Sequence, residues 1–165
     1  MAYRQTDYVL RLIESLGALL ARIRRLREDG EHAAALAEIE RTVGELLGPT
    51  GSLVARLDSA TAAQLVGDPR RLDAWAHLLA AEGDVREELG HHASAEANRR
   101  RALELALEAI ERLDAATRLD TLKREDPRRA ELRGLASALA RQVDAGRIPD
   151  RYHQALRRAL AGGAE

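Results

Sequence analysis

Residues 78–105 read LLAAEGDVREELGHHASAEANRRRALEL, and this stretch decides the fold. Leu78, Leu79 and Val85 recur at helical spacing before Gly90, and Ala95, Ala102 and Leu105 recur after it. Two arms around a turn glycine make a helix hairpin. The informative part is how little bulk stands where the arms would touch. Gly83 lies twelve positions before Ala95, which lies seven before Ala102. Side chains of one carbon or none let two helices approach near the short end of the usual range of about 8–10 Å. The spacing predicts a close-packed pair, and it points to packing rather than to chemistry.

Composition agrees with a helical chain. Of 165 residues, 45% are hydrophobic and 32% charged, which suits one globular domain over residues 1–165. Phe is absent and the aromatic rings are Tyr3, Tyr8, Trp75 and Tyr152, so the core must be built of Leu, Ala, Val and Ile. No run alternates apolar and polar residues with the period of a strand. The expected class is all-α. A formal net charge of −1 gives no long-range field favouring nucleic acid or an anionic membrane. Without Cys, neither disulfides nor thiolate metal sites can form. The opening MAYRQTDY lacks the apolar core of a secretory signal. No apolar run approaches the roughly 20 residues that span a bilayer. A cytoplasmic protein is the expectation.

Outward from the hairpin, the chain divides at its Gly and Pro residues. A first hairpin is expected over 6–47. Its first helix starts at Thr6 or Asp7, carries Val9, Leu12, Ile13, Leu16, Leu19, Leu20, Ile23 and Leu26 on one face, and ends at Asp29-Gly30. The second arm runs to Leu47, before Gly48-Pro49. Residues 50–68 suggest short inserted helices broken at Asp58-Ser59, with Ser59 as a cap. Asp68-Pro69 then opens the central hairpin, 69–116, whose second arm is read from Ala93 to Leu113. Asp126-Pro127 opens C-terminal helices over 126–161, the first closed by Gly146 and the last opened by Pro149-Asp150 before a Gly162-Gly163 tail. Laying Gly30 on Gly90 makes residues 26–47 resemble 87–107, with Ala35 falling on Ala95.

The central hairpin resembles a tetratricopeptide repeat. The match rests on Gly83 in the first arm, Gly90 at its end, Ala95 and Ala102 in the second arm, and the run Leu103-Glu104-Leu105. Leu79, Glu82 and Arg99 stand where the repeat has an aromatic, a Leu and a second aromatic, and no Pro follows Leu105. The segment Asp7-Tyr8-Val9-Leu10-Arg11-Leu12-Ile13-Glu14 resembles the start of a family of uncharacterised bacterial proteins with tetratricopeptide-like helices. These resemblances imply antiparallel helix hairpins in a short, degenerate, right-handed array. They imply no activity.

In such repeats the first helix lines a groove that takes a peptide or a partner helix. The matching stripe here is His77, Ala80, Asp84, Glu87, Glu88 and His91. Its acidic character suits a basic segment rather than a terminal carboxylate; the plainer alternative is a solvated helix face. One stripe of one helix cannot encircle an ion, so no metal is expected there. Arg99-Arg100-Arg101, Arg128-Arg129 and Arg157-Arg158 could form a phosphate-binding surface. Glu96, Glu104, Glu108, Glu125 and Glu131 intersperse them as on ordinary helix surfaces, and no aromatic lies between to stack bases. The first helix could be packed inside or form a dimer seam. No phosphate loop, Gly-flanked nucleophilic Ser or His-Glu-x-x-His spacing is present, and no cofactor is expected. The reading is a non-enzymatic adaptor that binds another protein or a second copy of itself. Its rivals are a self-associating structural protein and a nucleic-acid or small-ligand regulator.

Overall fold

The structure, a computed structural model, describes residues 2–119 and 127–161. Among them every regular element is helical: α1 (Ala2–Glu14), α2 (Leu16–Glu28), α3 (His32–Leu47), α4 (Gly51–Val54), α5 (Ser59–Val66), α6 (Pro69–Glu88), α7 (His92–Leu119), α8 (Pro127–Ala140) and α9 (Asp150–Ala161). The all-α expectation holds.

Polar residues set the element boundaries. Pro69 opens α6, whose orphan N–H at Arg70 is accepted by the Asp68 carboxylate at 2.9 Å. At the end of α6, Gly90 takes a φ of 77°, the His91 N–H donates to the Arg86 carbonyl at 2.8 Å and the Gly90 N–H to Glu87 at 2.9 Å. Gly30 closes α2 in the same way, with φ 77° and bonds from Glu31 to Leu26 and from Gly30 to Arg27. Both turns are Schellman closures, which need a residue without a Cβ in the left-handed region.

Four boundaries depart from the sequence reading. The single first helix is two helices that meet at Ser15, and the first begins at Ala2, so Thr6 and Asp7 lie inside it. Ser15 (φ −91°, ψ 3°) leaves helical values although the backbone ladder continues through it, and its hydroxyl donates to the Leu12 carbonyl at 3.1 Å. Such back-bonding by Ser bends helices. Ser59 does not cap α5. Asp58 does, accepting from the Ala60 and Thr61 N–H groups at 3.1 Å. The second arm of the central hairpin runs on to Leu119, since nothing between Leu113 and Leu119 breaks a helix. Finally, α8 stops at Ala140 rather than Gly146; the chain turns through residues 145–147, with Asp144 accepting from the Gly146 N–H at 2.9 Å. Asp126 and the Gly162-Gly163 tail lie outside the described residues.

The α6–α7 hairpin is the hub. On one side it receives α2 and α3, and on the other α8 and α9, while α5 lies on α7. Trp75, Leu72 and Leu78 from α6 and Leu103, Leu105 and Leu107 from α7 are fully buried, together with Ile23, Ile39, Leu46 and Leu132 from the flanking helices. The apolar face of α1 is packed inside as well, since Val9, Leu12 and Ile13 are buried.

The two arms meet as the small residues require. Gly83, Ala95 and Ala102 are buried. A Cβ added to Gly83 would stand 3.2 Å from the Ala95 carbonyl oxygen and 2.9 Å from Cγ of Arg99. The aliphatic stem of Arg99 thus occupies the place that a Gly83 side chain would need.

Candidate interaction groove

The stripe read from the sequence is not a set of idle surface charges. Asp84 accepts from Arg27 of α2 at 3.0 Å and from Arg99 of α7 at 3.1 Å. Glu87 accepts from Arg99 at 3.1 Å and lies 2.6 Å from Nδ1 of His92. Glu88 meets Nε of Arg27 at 3.2 Å and Nε2 of His32, on α3, at 3.0 Å. Three carboxylates on the last turns of α6 therefore bind four helices together. The hydrogen bond from His92 holds the Glu87 carboxyl below its usual range, with help from Arg99.

These pairs are unevenly exposed, and that shapes the surface. The carboxylate side chains of Asp84, Glu87 and Glu88 remain 41–45% exposed, whereas Arg27 is 24% and Arg99 14% exposed. The cations are tucked behind and the oxygens face water. An ionised carboxylate has about four acceptor sites, so each can take a further donor.

His77 and His91 stand apart from this cluster. His91 is exposed at the turn. His77 lies two turns upstream, half-buried, with Nδ1 2.9 Å from Oδ1 of buried Asp73 and 3.1 Å from the Asp73 carbonyl oxygen. Burial of the ring opposes its charge, but the Asp73 carboxylate outweighs that and raises the His77 pKa, with a smaller contribution from Glu131 of α8.

The sequence reading missed the cationic half of the network, Arg27 and His32. A signal for it existed: with Gly30 laid on Gly90, Arg27 falls on Glu87, so neighbouring hairpins carry opposite charge at equivalent sites. The reading also placed Glu104 and Glu108 on the surface. Both are buried. Glu104 accepts from the Ser59 hydroxyl at 2.5 Å, and Glu108 from Tyr152 at 2.9 Å, from Arg112 at 2.7 Å and from Arg151. Burial, then the Glu108 bond, drives the Tyr152 pKa up. Arg101 lies over the Trp75 ring and donates to the carbonyls of Leu57 and Val54, closing α4.

Members of each arginine run are engaged within the fold. Arg99 and Arg101 serve the contacts just described, Arg129 pairs with Asp114 at 2.6 Å, and Arg158 pairs with Glu111 at 3.1 Å. Small clefts open among the described residues. One of about 250 Å³ lies between α1 and α3, lined by Tyr8, Leu12, Leu19, Arg41, Thr42 and Glu45. Another, about 210 Å³, lies between α7 and α9. Among the described residues no three His, Cys, Asp or Glu side chains are placed to hold a metal ion, and no helix is long and apolar enough to cross a membrane. No protein family, curated protein or solved structure matches the chain.

Proposed function

We propose that the chain is a non-enzymatic interaction module, a short tetratricopeptide-like array whose groove runs along α2, α6 and α8. The order of helix contacts carries this reading. The first arms α2 and α6 touch, as do α6 and α8, and each second arm packs on the next first arm, α3 on α6 and α7 on α8. That is how stacked hairpins of this kind bury their faces. In this reading His77, Asp84, Glu87, Glu88 and His91 mark the middle of the groove, and the outward carboxylates suit a partner segment bearing Arg or Lys.

Co-purification from the cells of origin tests the proposal. Asp84→Lys with Glu87→Lys reverses the edge, and Ala80→Arg fills the same stripe without removing an ion pair. Both are expected to release a partner that the unaltered chain retains, with helicity by circular dichroism unchanged for Ala80→Arg. A partner held equally by both variants sinks the groove assignment. A second reading, self-association, draws on Leu53 and Leu65, which stand 58% and 60% exposed on α4 and α5. Molar mass in solution separates the two.

A further inference from the structure

The last helix sits in a seat that it does not fill. α9 packs on α7 and α8, and its buried face is Tyr152, Ala155 and Ala159. At its start the Tyr152 hydroxyl donates to Oε1 of Glu108 at 2.9 Å. Arg151 donates to the same oxygen, with its guanidinium 4.7 Å from the centroid of the Tyr152 ring. Near its end Arg158 pairs with Glu111 at 3.1 Å. Between these anchors the fit is loose: the cleft of about 210 Å³ opens there, lined by Leu107 and Ile110 of α7 and by Ala155 and Ala159 of α9. The anchors do not make up for the missing contacts. Docking α9 strips water from Glu108, which is left 5% exposed, and the bonds from Tyr152 and Arg151 roughly offset that cost. The Arg158–Glu111 pair is 62% and 47% exposed, and pairs in water add little. A helix of 12 residues is marginal on its own. α9 is therefore lightly held.

We propose that this face of α7 is a helix-binding seat, occupied in cis by α9 and open to a partner helix that displaces it. The chemistry of the seat defines the partner. Glu108 and Glu111 call for an Arg-Tyr pair at the start of that helix and a second Arg two turns on, as Arg151, Tyr152 and Arg158 supply in α9. Leu107 and Ile110 call for apolar residues at the places of Ala155 and Ala159, bulkier than alanine. A partner with Leu or Met there fills the cleft and gains the contacts that α9 forgoes, while reproducing its ion pairs. α9 is then an autoinhibitory stand-in. The seat is separate from the groove along α2, α6 and α8, so the two readings stand or fall apart.

The probe is a labelled peptide of residues 149–161 carrying Ala155→Leu and Ala159→Leu, titrated against the full chain by fluorescence anisotropy. It should bind saturably. Tyr152→Phe in the chain loosens α9 and leaves the seat intact, so the peptide should then bind several-fold more tightly. Arg151→Ala, where the side chain is 52% exposed, does the same should Tyr152→Phe disturb the core. Tyr152→Phe placed in the peptide instead should weaken its binding several-fold. In the chain itself, Ala155→Leu should raise the hydrogen-exchange protection of α9 amides several-fold, because it fills the cleft. No saturable binding even to the loosened chains, an affinity indifferent to which side carries Tyr152→Phe, or a loss of α9 protection in Ala155→Leu overturns the proposal.

Discussion

Glycine has opposite meanings at different positions of this chain. Around Gly17, Gly44 and Gly134, all exposed on helices, a Cβ would meet nothing within 4 Å, so these residues carry the helix-propensity penalty with no packing return inside the chain. Alanine at Gly134 should stabilise by about 0.5–1 kcal/mol. Alanine at Gly83 should forfeit that gain, because its methyl meets the Ala95 carbonyl and the Arg99 stem, and leucine there should cost about 1–3 kcal/mol or more by overpacking. Urea unfolding of the three variants at one pH checks the ordering. Equal stability of Gly83→Ala and Gly134→Ala would mean that the arms are not close.

At the scale of elements, caps do what apolar periodicity cannot. The period of Leu and Ala places the arms, but Asp58 and Asp68 fix where α5 and α6 start. Each satisfies backbone donors that would otherwise be orphaned. The Thr61 hydroxyl holds the exposed Asp58 carboxyl below its usual range, whereas burial pushes Asp68 up and the hydrogen bonds from Arg70 outweigh it and leave that carboxyl lowered. Asp58→Ala and Asp68→Ala should each cost about 0.5–2 kcal/mol, read as a lower melting temperature with helicity retained. The contrast with Ser15 and Ser59 is instructive. Both are Ser in helical sequence, and nothing local says that one bends a helix while the other turns inward to a carboxylate 45 positions away. Only the tertiary partner, Glu104, decides the second.

For the whole molecule, what could be read from the sequence was what is periodic and local. The small residues Gly83, Ala95 and Ala102, the turn glycines and the Asp-Pro starts each report on neighbours within one hairpin, and the helices fall where they point. The cross-hairpin contacts were opaque, since Arg27 meets Asp84 across 57 positions and nothing in either neighbourhood names the other. Buried Glu104 and Glu108 misled for the same reason: a carboxylate amid arginines looks solvated until its partners arrive from α5 and α9. A different set of carboxylates, those held below their usual range, sets the acid limit of the fold. Glu45, lowered chiefly by its hydrogen bond from Tyr8, joins Asp58, Asp68 and Glu87 in having a depressed pKa. Depressed carboxyls contribute stability that is present above their unfolded values and lost as pH falls through the native ones. Unfolding should therefore set in below about pH 4, and a chain whose melting temperature is flat from pH 5 to pH 2 would contradict this.

The stem of Arg99 resting in the notch left by Gly83 has a consequence for descent. Neither site is free to drift alone: bulk gained at one must be surrendered at the other, and the guanidinium that ties Asp84 and Glu87 goes with it. A double-mutant cycle between them should show strong coupling, and across related chains the two positions should covary as one inherited unit.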